Sequence, residues 1–239
     1  GVTFGSNNSI TNQWIRASAV RGNDVLFVGD SGTAMSSSNN GSSWDAISIG
    51  LTDNLNAIYS EGDTSVVVGD DGALTVYTSG PNQWQSKESR TDKDLHGVYI
   101  LEDESSIWVV GSSGQLVKST NEGISWADMG SLSNETLHGV EFETSSTGFV
   151  VGTKGAFRKS TDGGTSWTDV SVSGLTNQDL FGIDRSGDVW VVAGDEVLIV
   201  SQDNGSTWSA TTFDNNETFY AVEIADQANI WAAGSRNDV

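Results

Sequence analysis

The chain has 239 residues, with one Pro, no Cys, 28 Gly and 9 Trp, and its 11 basic against 32 acidic side chains give a formal charge of -21. Without Cys there is no disulfide framework and no thiolate metal site, and His96 and His138 alone cannot build a zinc centre, so neither a metal nor a cofactor is expected. The charge argues against nucleic acid and membrane surfaces as partners, and no run of 18 apolar residues is present to span a bilayer.

Read along the chain, Val28-Gly29-Asp30-Ser31-Gly32 recurs as Val68-Gly69-Asp70-Asp71-Gly72, Val110-Gly111-Ser112-Ser113-Gly114 and Val151-Gly152-Thr153-Lys154-Gly155. It continues in weaker form at Ala193-Gly194 and Ala233-Gly234, so that the first Gly is spaced by 40, 42, 41, 42 and 40 residues. A second ladder runs Phe4, Trp44, Trp84, Trp126, Trp167, Trp208 with steps of 40, 40, 42, 41 and 41. Between the ladders lie short β-rich runs bounded by Gly, Asn, Asp and Ser. In the third repeat they predict strands over Leu95 to Ile100, Ile107 to Val110 and Gln115 to Ser119, with a fourth starting near Trp126. The Gly-x-x-Gly turn between the second and third strands is expected to use the freedom of its glycines to take positive φ. No stretch has sustained helical periodicity.

Four short strands per 40 or so residues, repeated six times, predict an all-β, six-bladed β-propeller of four-stranded antiparallel blades. The chain opens at Gly1-Val2-Thr3-Phe4, which aligns with Gly164 to Trp167, and closes at Asn237-Asp238-Val239, just inside a third strand. The last blade is therefore expected to be closed by both termini, within a single domain over residues 1–239 excised from a longer chain.

Each repeat also carries an eight-residue box. Ser160 to Trp167 (Asp162, Gly164, Trp167) and Ser201 to Trp208 (Asp203, Gly205, Trp208) fit the pattern Ser-x-Asp-x-Gly-x-x-Trp. Ser37 to Trp44 and Ser119 to Trp126 keep Gly41, Trp44, Gly123 and Trp126 but have Asn39 and Asn121 at the Asp position, and Tyr77 to Trp84 is degenerate. An Asp or Asn can accept backbone N–H groups of its own turn while Trp covers the hairpin, so the box reads as a structural staple. These motifs resemble Asp-box (BNR) repeat propellers, and with the Val-Gly-x-x-Gly element they look most like the photosystem II stability/assembly factor group. That resemblance implies a propeller fold. The assembly factors it points to are expected to hold a membrane-protein segment on a basic patch, and this chain has the opposite charge balance.

The same box occurs in sialidases, which need an arginine triad, a Tyr nucleophile with a Glu partner, and an acidic Asp. Of Arg16, Arg21, Arg90, Arg158, Arg185 and Arg236, only Arg16 and Arg236 fall where a central cleft would use them. No catalytic residue is assigned. The better candidates for binding vary while the scaffold repeats: Arg16, Asn56, His96, His138, Phe181 and Tyr220 follow the apolar residue that opens each first strand, where six blades would bring them to the mouth of a channel. Such a mixture suits a sugar or a peptide. Asp30, Asp70, Asp71, Asp92, Asp94, Asp195 and Glu196 would surround them.

Asn7, Asn40, Asn134, Asn204 and Asn216 begin sequons that could carry glycans in an extracytoplasmic setting, though this much Asn, Ser and Thr gives such a number by chance. Together these features predict a non-enzymatic interaction propeller from a halophile. It would be extracellular or displayed on a cell, filament or virion surface, assemble with other copies or neighbouring domains, and bind a protein or glycan through the channel face. A glycoside hydrolase or lectin is the alternative.

Overall fold

The computed structural model describes residues 11–79, 83–213, 216–226 and 229–236, with only the backbone described at Asp226 and Arg236. Phe4, Asn7 and the two terminal segments expected to close the last blade lie outside the described residues.

The strands form five four-stranded sheets and one two-stranded sheet, with neighbours pairing in chain order. The first sheet holds β1 (Ile15–Arg21), β2 (Asp24–Gly29), β3 (Ala34–Ser37) and β4 (Asp45–Ala46). The second holds β5 (Leu55–Glu61), β6 (Thr64–Gly69), β7 (Leu74–Tyr77) and β8 (Trp84–Ser86), and the third β9 (Leu95–Ile100), β10 (Ile107–Gly111), β11 (Gln115–Ser119) and β12 (Ala127–Ser131). The fourth holds β13 (Leu137–Phe142), β14 (Gly148–Gly152), β15 (Phe157–Ser160) and β16 (Thr168–Asp169). The fifth holds β17 (Leu180–Ser186), β18 (Val189–Gly194), β19 (Val197–Ser201) and β20 (Ser209–Thr212), and the sixth β21 (Glu217–Asp226) with β22 (Asn229–Arg236). By contacts the chain divides into two compact units, 1–107 with 117–128 and 108–116 with 129–239.

In sequence the second strands are apolar runs without alternation, as expected of strands covered on both faces. In the structure every residue of β6, β10, β14 and β18 is buried. Each fully buried Val or Leu stabilises the fold by roughly 1.5–3 kcal/mol, which makes these strands the main source of cohesion. The first unit packs Leu26, Val28, Ile49, Leu55, Ile58 and Val67 together. In the second, Trp108 stacks on Phe142 with centroids 3.7 Å apart, and Phe149 meets Trp190 edge-on at 4.8 Å.

The repeated Gly-x-x-Gly element differs in one respect from the sequence expectation. It forms a three-residue 3-10 turn, and its first Gly is extended, with φ of -171° at Gly29 and -173° at Gly152. Positive φ falls on the third position (Ser31, Asp71, Ser113 and Lys154) and on the last Gly. What the first Gly supplies is space. A Cβ on Gly29 would lie 1.9 Å from the carbonyl oxygen of Trp14, and on Gly69, Gly152 and Gly234 it would lie 2.1, 2.1 and 1.8 Å from those of Asn54, Thr136 and Thr218. The carbonyls of Trp14, Asn54 and Thr136 each accept the N–H that follows the glycine, from Asp30, Asp70 and Thr153, at 2.9–3.0 Å.

Gly29→Ala and Gly152→Ala should therefore each lower the unfolding free energy by roughly 2–4 kcal/mol in denaturant melts, because backbone rather than a flexible side chain must move. A loss under about 0.5 kcal/mol for both, the level of an ordinary surface substitution, would contradict this role.

Candidate functional site

The six positions singled out in the sequence share one backbone feature in every sheet whose first pairing is described. Ile15 pairs with Gly29 while Ala17 pairs with Val28, so Arg16 is the extra residue of a β-bulge. Asn56 between Leu55 and Ala57, His138 between Leu137 and Gly139, Phe181 between Leu180 and Gly182, and Tyr220 between Phe219 and Ala221 are placed in the same way. His96 holds the same position in the third repeat. A bulge releases a residue from the ladder and re-aims its side chain, and bulges recur beside binding sites.

In the first unit the candidates are tied into a polar network. Arg16 Nε donates to Asp30 Oδ1, and its Nη1 donates to Asn56 Oδ1 at 3.0 Å. Asn56 Nδ2 then donates to Asp70 Oδ1 at 2.7 Å and to the carbonyl of Leu95 at 3.1 Å, while Asn54 Nδ2 takes the other oxygen of Asp70 at 2.9 Å. The Asn56 amide thus uses both of its N–H groups and its carbonyl inside the protein. Burial pushes the His96 imidazole below its ordinary value, opposed by the carboxylates of Asp94 and Asp70 and aided by Arg16, so the ring is neutral near pH 7.

Three of the acids expected to rim this face are therefore structural partners. Asp30 and Asp70 hold Arg16, Asn54 and Asn56, and Asp94 accepts the backbone N–H of Asp71 at 3.0 Å. Asn54 does the same for Ser31, and Asp179 for Lys154 in the second unit. Sequence reasoning missed this clasp, although its signal was present: an Asn or Asp precedes the Leu that opens the first strand at Asn54, Asp94 and Asp179.

In the second unit the same bulged positions form a run of rings. His138 lies 5.3 Å from Phe181, and Phe181 lies 5.2 Å from Tyr220, both pairs tilted. Tyr220 is 54% exposed, with Ser235 Oγ 3.4 Å from its hydroxyl. Beside it, Asp195 Oδ1 accepts the Thr218 hydroxyl at 2.7 Å.

The Asp boxes lie at the other end of their sheets, since β15 runs from the turn at Gly155 to Ser160. Asp162 Oδ1 accepts the N–H of Ser166 at 2.8 Å and Oδ2 its hydroxyl at 2.6 Å, while Ser160 Oγ accepts the N–H of Gly164. Asp203 repeats this with Thr207 and Ser201, and Asn39 and Asn121 substitute with Ser43 and Ser125. The side-chain and backbone hydrogen bonds from Thr207 hold Asp203 down to about 2, and those from Ser166 lower Asp162. Trp126 and Trp167 donate their indole N–H to Gly123 and Gly164, Trp44 stacks on Phe27 at 4.5 Å, and Trp208 meets Phe157 edge-on at 4.7 Å. In the degenerate box Arg21 lies 3.5 Å over the ring of Tyr77. Of the sequons, Asn40, Asn134 and Asn216 are exposed. The Asn204 amide instead donates to Glu143 at 2.6 Å and accepts the indole N–H of Trp190, bonds that a glycan on that nitrogen would disturb.

A carboxyl group was also missed. Glu141, Asp184 and Glu223 stand three residues beyond the bulges on β13, β17 and β21, where the first unit has Ala19, Tyr59 and Tyr99. Glu141 is only 8% exposed, and burial, then Asp184 and Glu223, push its carboxyl well above the ordinary 4.5, against Arg185. Burial likewise raises Asp184 and Glu223. A raised folded-state value stabilises the protein below the unfolded value, and that contribution is lost as pH rises through the folded one. Glu141→Gln should accordingly raise Tm more at pH 8 than at pH 5. A gain that is flat or falls across that range would contradict the buried cluster.

A family described as photosynthesis system II assembly factor YCF48 matches residues 128–216. No curated protein matches the chain. Among solved structures, YCF48 bound to D1 peptide is similar with a TM-score of 0.75 at 16% identity, over 96% of this chain and 78% of that one. YCF48 from Cyanidioschyzon merolae gives 0.71 at 12% identity, over 94% and 80%. An ancestral GH74 enzyme gives 0.71 at 18% identity, over 95% of this chain but 38% of the enzyme. Residues 128–216 thus match the repeat family of the photosystem II assembly factor, and the chain has the all-β, YCF48-like propeller fold.

Proposed function

We propose that this is a non-enzymatic interaction propeller that holds an extended segment of a partner protein against the ring run of His138, Phe181 and Tyr220. The observation that carries the reading is that run: three aromatic or imidazole rings on consecutive bulged positions, with Tyr220 half exposed. Neighbouring rings supply large contact area at low entropic cost, which suits peptide capture. The similarity to a propeller solved with a bound peptide supports the same class of partner. The first unit's Arg16 and Asn56 serve in this reading as the brace of the neighbouring sheets.

The wider setting is part of the proposal. Five four-stranded sheets and the β21–β22 pair at a spacing of 40–42 residues support a six-bladed single domain. The charge of -21 supports an extracellular or surface-exposed place in a salt-rich medium. A glycan-binding or glycoside-hydrolysing role is the second reading, favoured by the likeness to the GH74 enzyme.

Selection of a random peptide display library on the immobilised protein should enrich binders whose capture falls about tenfold or more with Tyr220→Ala, a loss in the range of an interface anchor. Hydrolysis of a glycoside panel, lost on substituting a carboxylate near that face, would replace the proposal with the second reading. For the salt-rich setting, Tm should rise steadily from low to multimolar KCl. An unchanged Tm would remove it.

A further inference from the structure

The character of the partner segment follows from what surrounds the rings, and this inference rests on the protein-binding reading above. At the turn end of the fourth to sixth sheets stand Glu135, Asp179, Asp195, Glu196 and Glu217, with Lys154 among them. Asp195 is exposed, and its second carboxylate oxygen is not claimed by any described residue. Asp179 spends one oxygen on the backbone of Lys154, which places a carboxylate beside the bulge of Phe181. Glu196 sits in the turn next to Asp195 with its N–H on the carbonyl of Glu217, so the backbones of two acidic residues are fixed against Glu217 and Thr218, on the strand that carries Tyr220. An exposed tyrosine face beside carboxylates attracts a cation twice over, through the ring quadrupole and through charge.

We infer that this face binds an extended segment carrying a Lys or Arg and an aromatic residue two positions apart, the cation lying over the exposed Tyr220 ring toward Asp195 and Glu196 and the aromatic side chain packing on Phe181. The spacing of two is required because successive side chains of an extended segment point to opposite sides, at about 3.3 Å per residue, so that only every second one shares the face. Rings 5.2 Å apart therefore meet side chains about two residues apart. An acidic segment would meet the field of a chain at -21 and be repelled.

The test uses three labelled ten-residue peptides in fluorescence anisotropy: one with Lys or Arg and Phe taking turns at every second position and Ser between them, one with every cation replaced by Ser, and one with every cation replaced by Glu. The basic peptide should bind about tenfold or more tighter than the Ser peptide, and the Glu peptide should bind weakest. Tyr220→Ala should cost about fivefold or more, Tyr220→Phe should restore binding, and the pair Asp195→Asn with Glu196→Gln should remove most of the preference for the basic peptide. Two results would overturn the inference while leaving the protein-binding reading in place. One is equal or tighter binding of the Ser or Glu peptide that still depends on Tyr220. The other is a peptide from the display selection that needs Tyr220 but lacks cations. Basic-peptide binding that ignores Tyr220→Ala and vanishes with salt would overturn it as general charge attraction. Failure of all three peptides, together with a display selection that yields no Tyr220-dependent binder, would overturn both.

Discussion

The fit of a backbone carbonyl into the space a Cβ would fill organises each sheet. Where β2 ends at Gly29, the carbonyl of Trp14 occupies that space and accepts the N–H of Asp30. The contact locks Ile15 opposite Gly29, while the continuous Val-rich ladder brings Ala17 opposite Val28. One residue is then left over between them, and it becomes the bulge. The same approach recurs at Asn54 with Gly69, Thr136 with Gly152 and Thr218 with Gly234. A requirement of packing, that only glycine fits, thus generates at a fixed point of each repeat a side chain freed from sheet duty.

What the freed positions hold differs between the two units. In the first, Asn56 is consumed by Arg16, Asp70 and the Leu95 carbonyl, and Arg16 spends its Nε and Nη1 on Asp30 and Asn56, so much of the hydrogen-bonding capacity that made them attractive as ligand contacts is used within the protein. In the second, His138, Phe181 and Tyr220 offer ring faces instead. A parallel difference appears three residues further along each first strand, where Ala19, Tyr59 and Tyr99 contrast with Glu141, Asp184 and Glu223. The repeats share a backbone, and their chemistry has diverged at the positions that the backbone leaves free.

Much of the fold was legible because it is written as period and residue type. The Val-Gly-x-x-Gly and Trp ladders place the strands of the third repeat at their observed positions to within a residue, and the Ser-x-Asp-x-Gly-x-x-Trp pattern marks hairpins whose hydrogen bonds follow from the side chains themselves. The bulges were not legible because their one mark, a shift of the alternation that sets core residues such as Leu55 and Ile58 or Leu180 and Ile183 three apart, is lost in so short a strand. The role of the first Gly was misjudged because a glycine needed for close approach looks the same in sequence as one needed for positive φ. The clasp by Asn54, Asp94 and Asp179 was hidden because Asn and Asp stand in so many of the turns, where each reads first as a turn residue. The candidate binding positions were found by asking which residues vary on a repeating scaffold, yet their division into a brace and a run of rings needed distances.

The fold itself hosts unlike activities, as the likeness to both YCF48 and a GH74 enzyme shows, so the functional conclusion has to stand on the bulged rings. Backbone amide shifts in a titration of the folded protein with the basic peptide, Lys or Arg and Phe taking turns at every second position, address that most directly. The account predicts perturbations centred on His138, Phe181, Tyr220 and Asp195, with the Asp-box turns at Asp162 and Asp203 unmoved. Shifts centred on those turns, with none at the bulged residues, would contradict it.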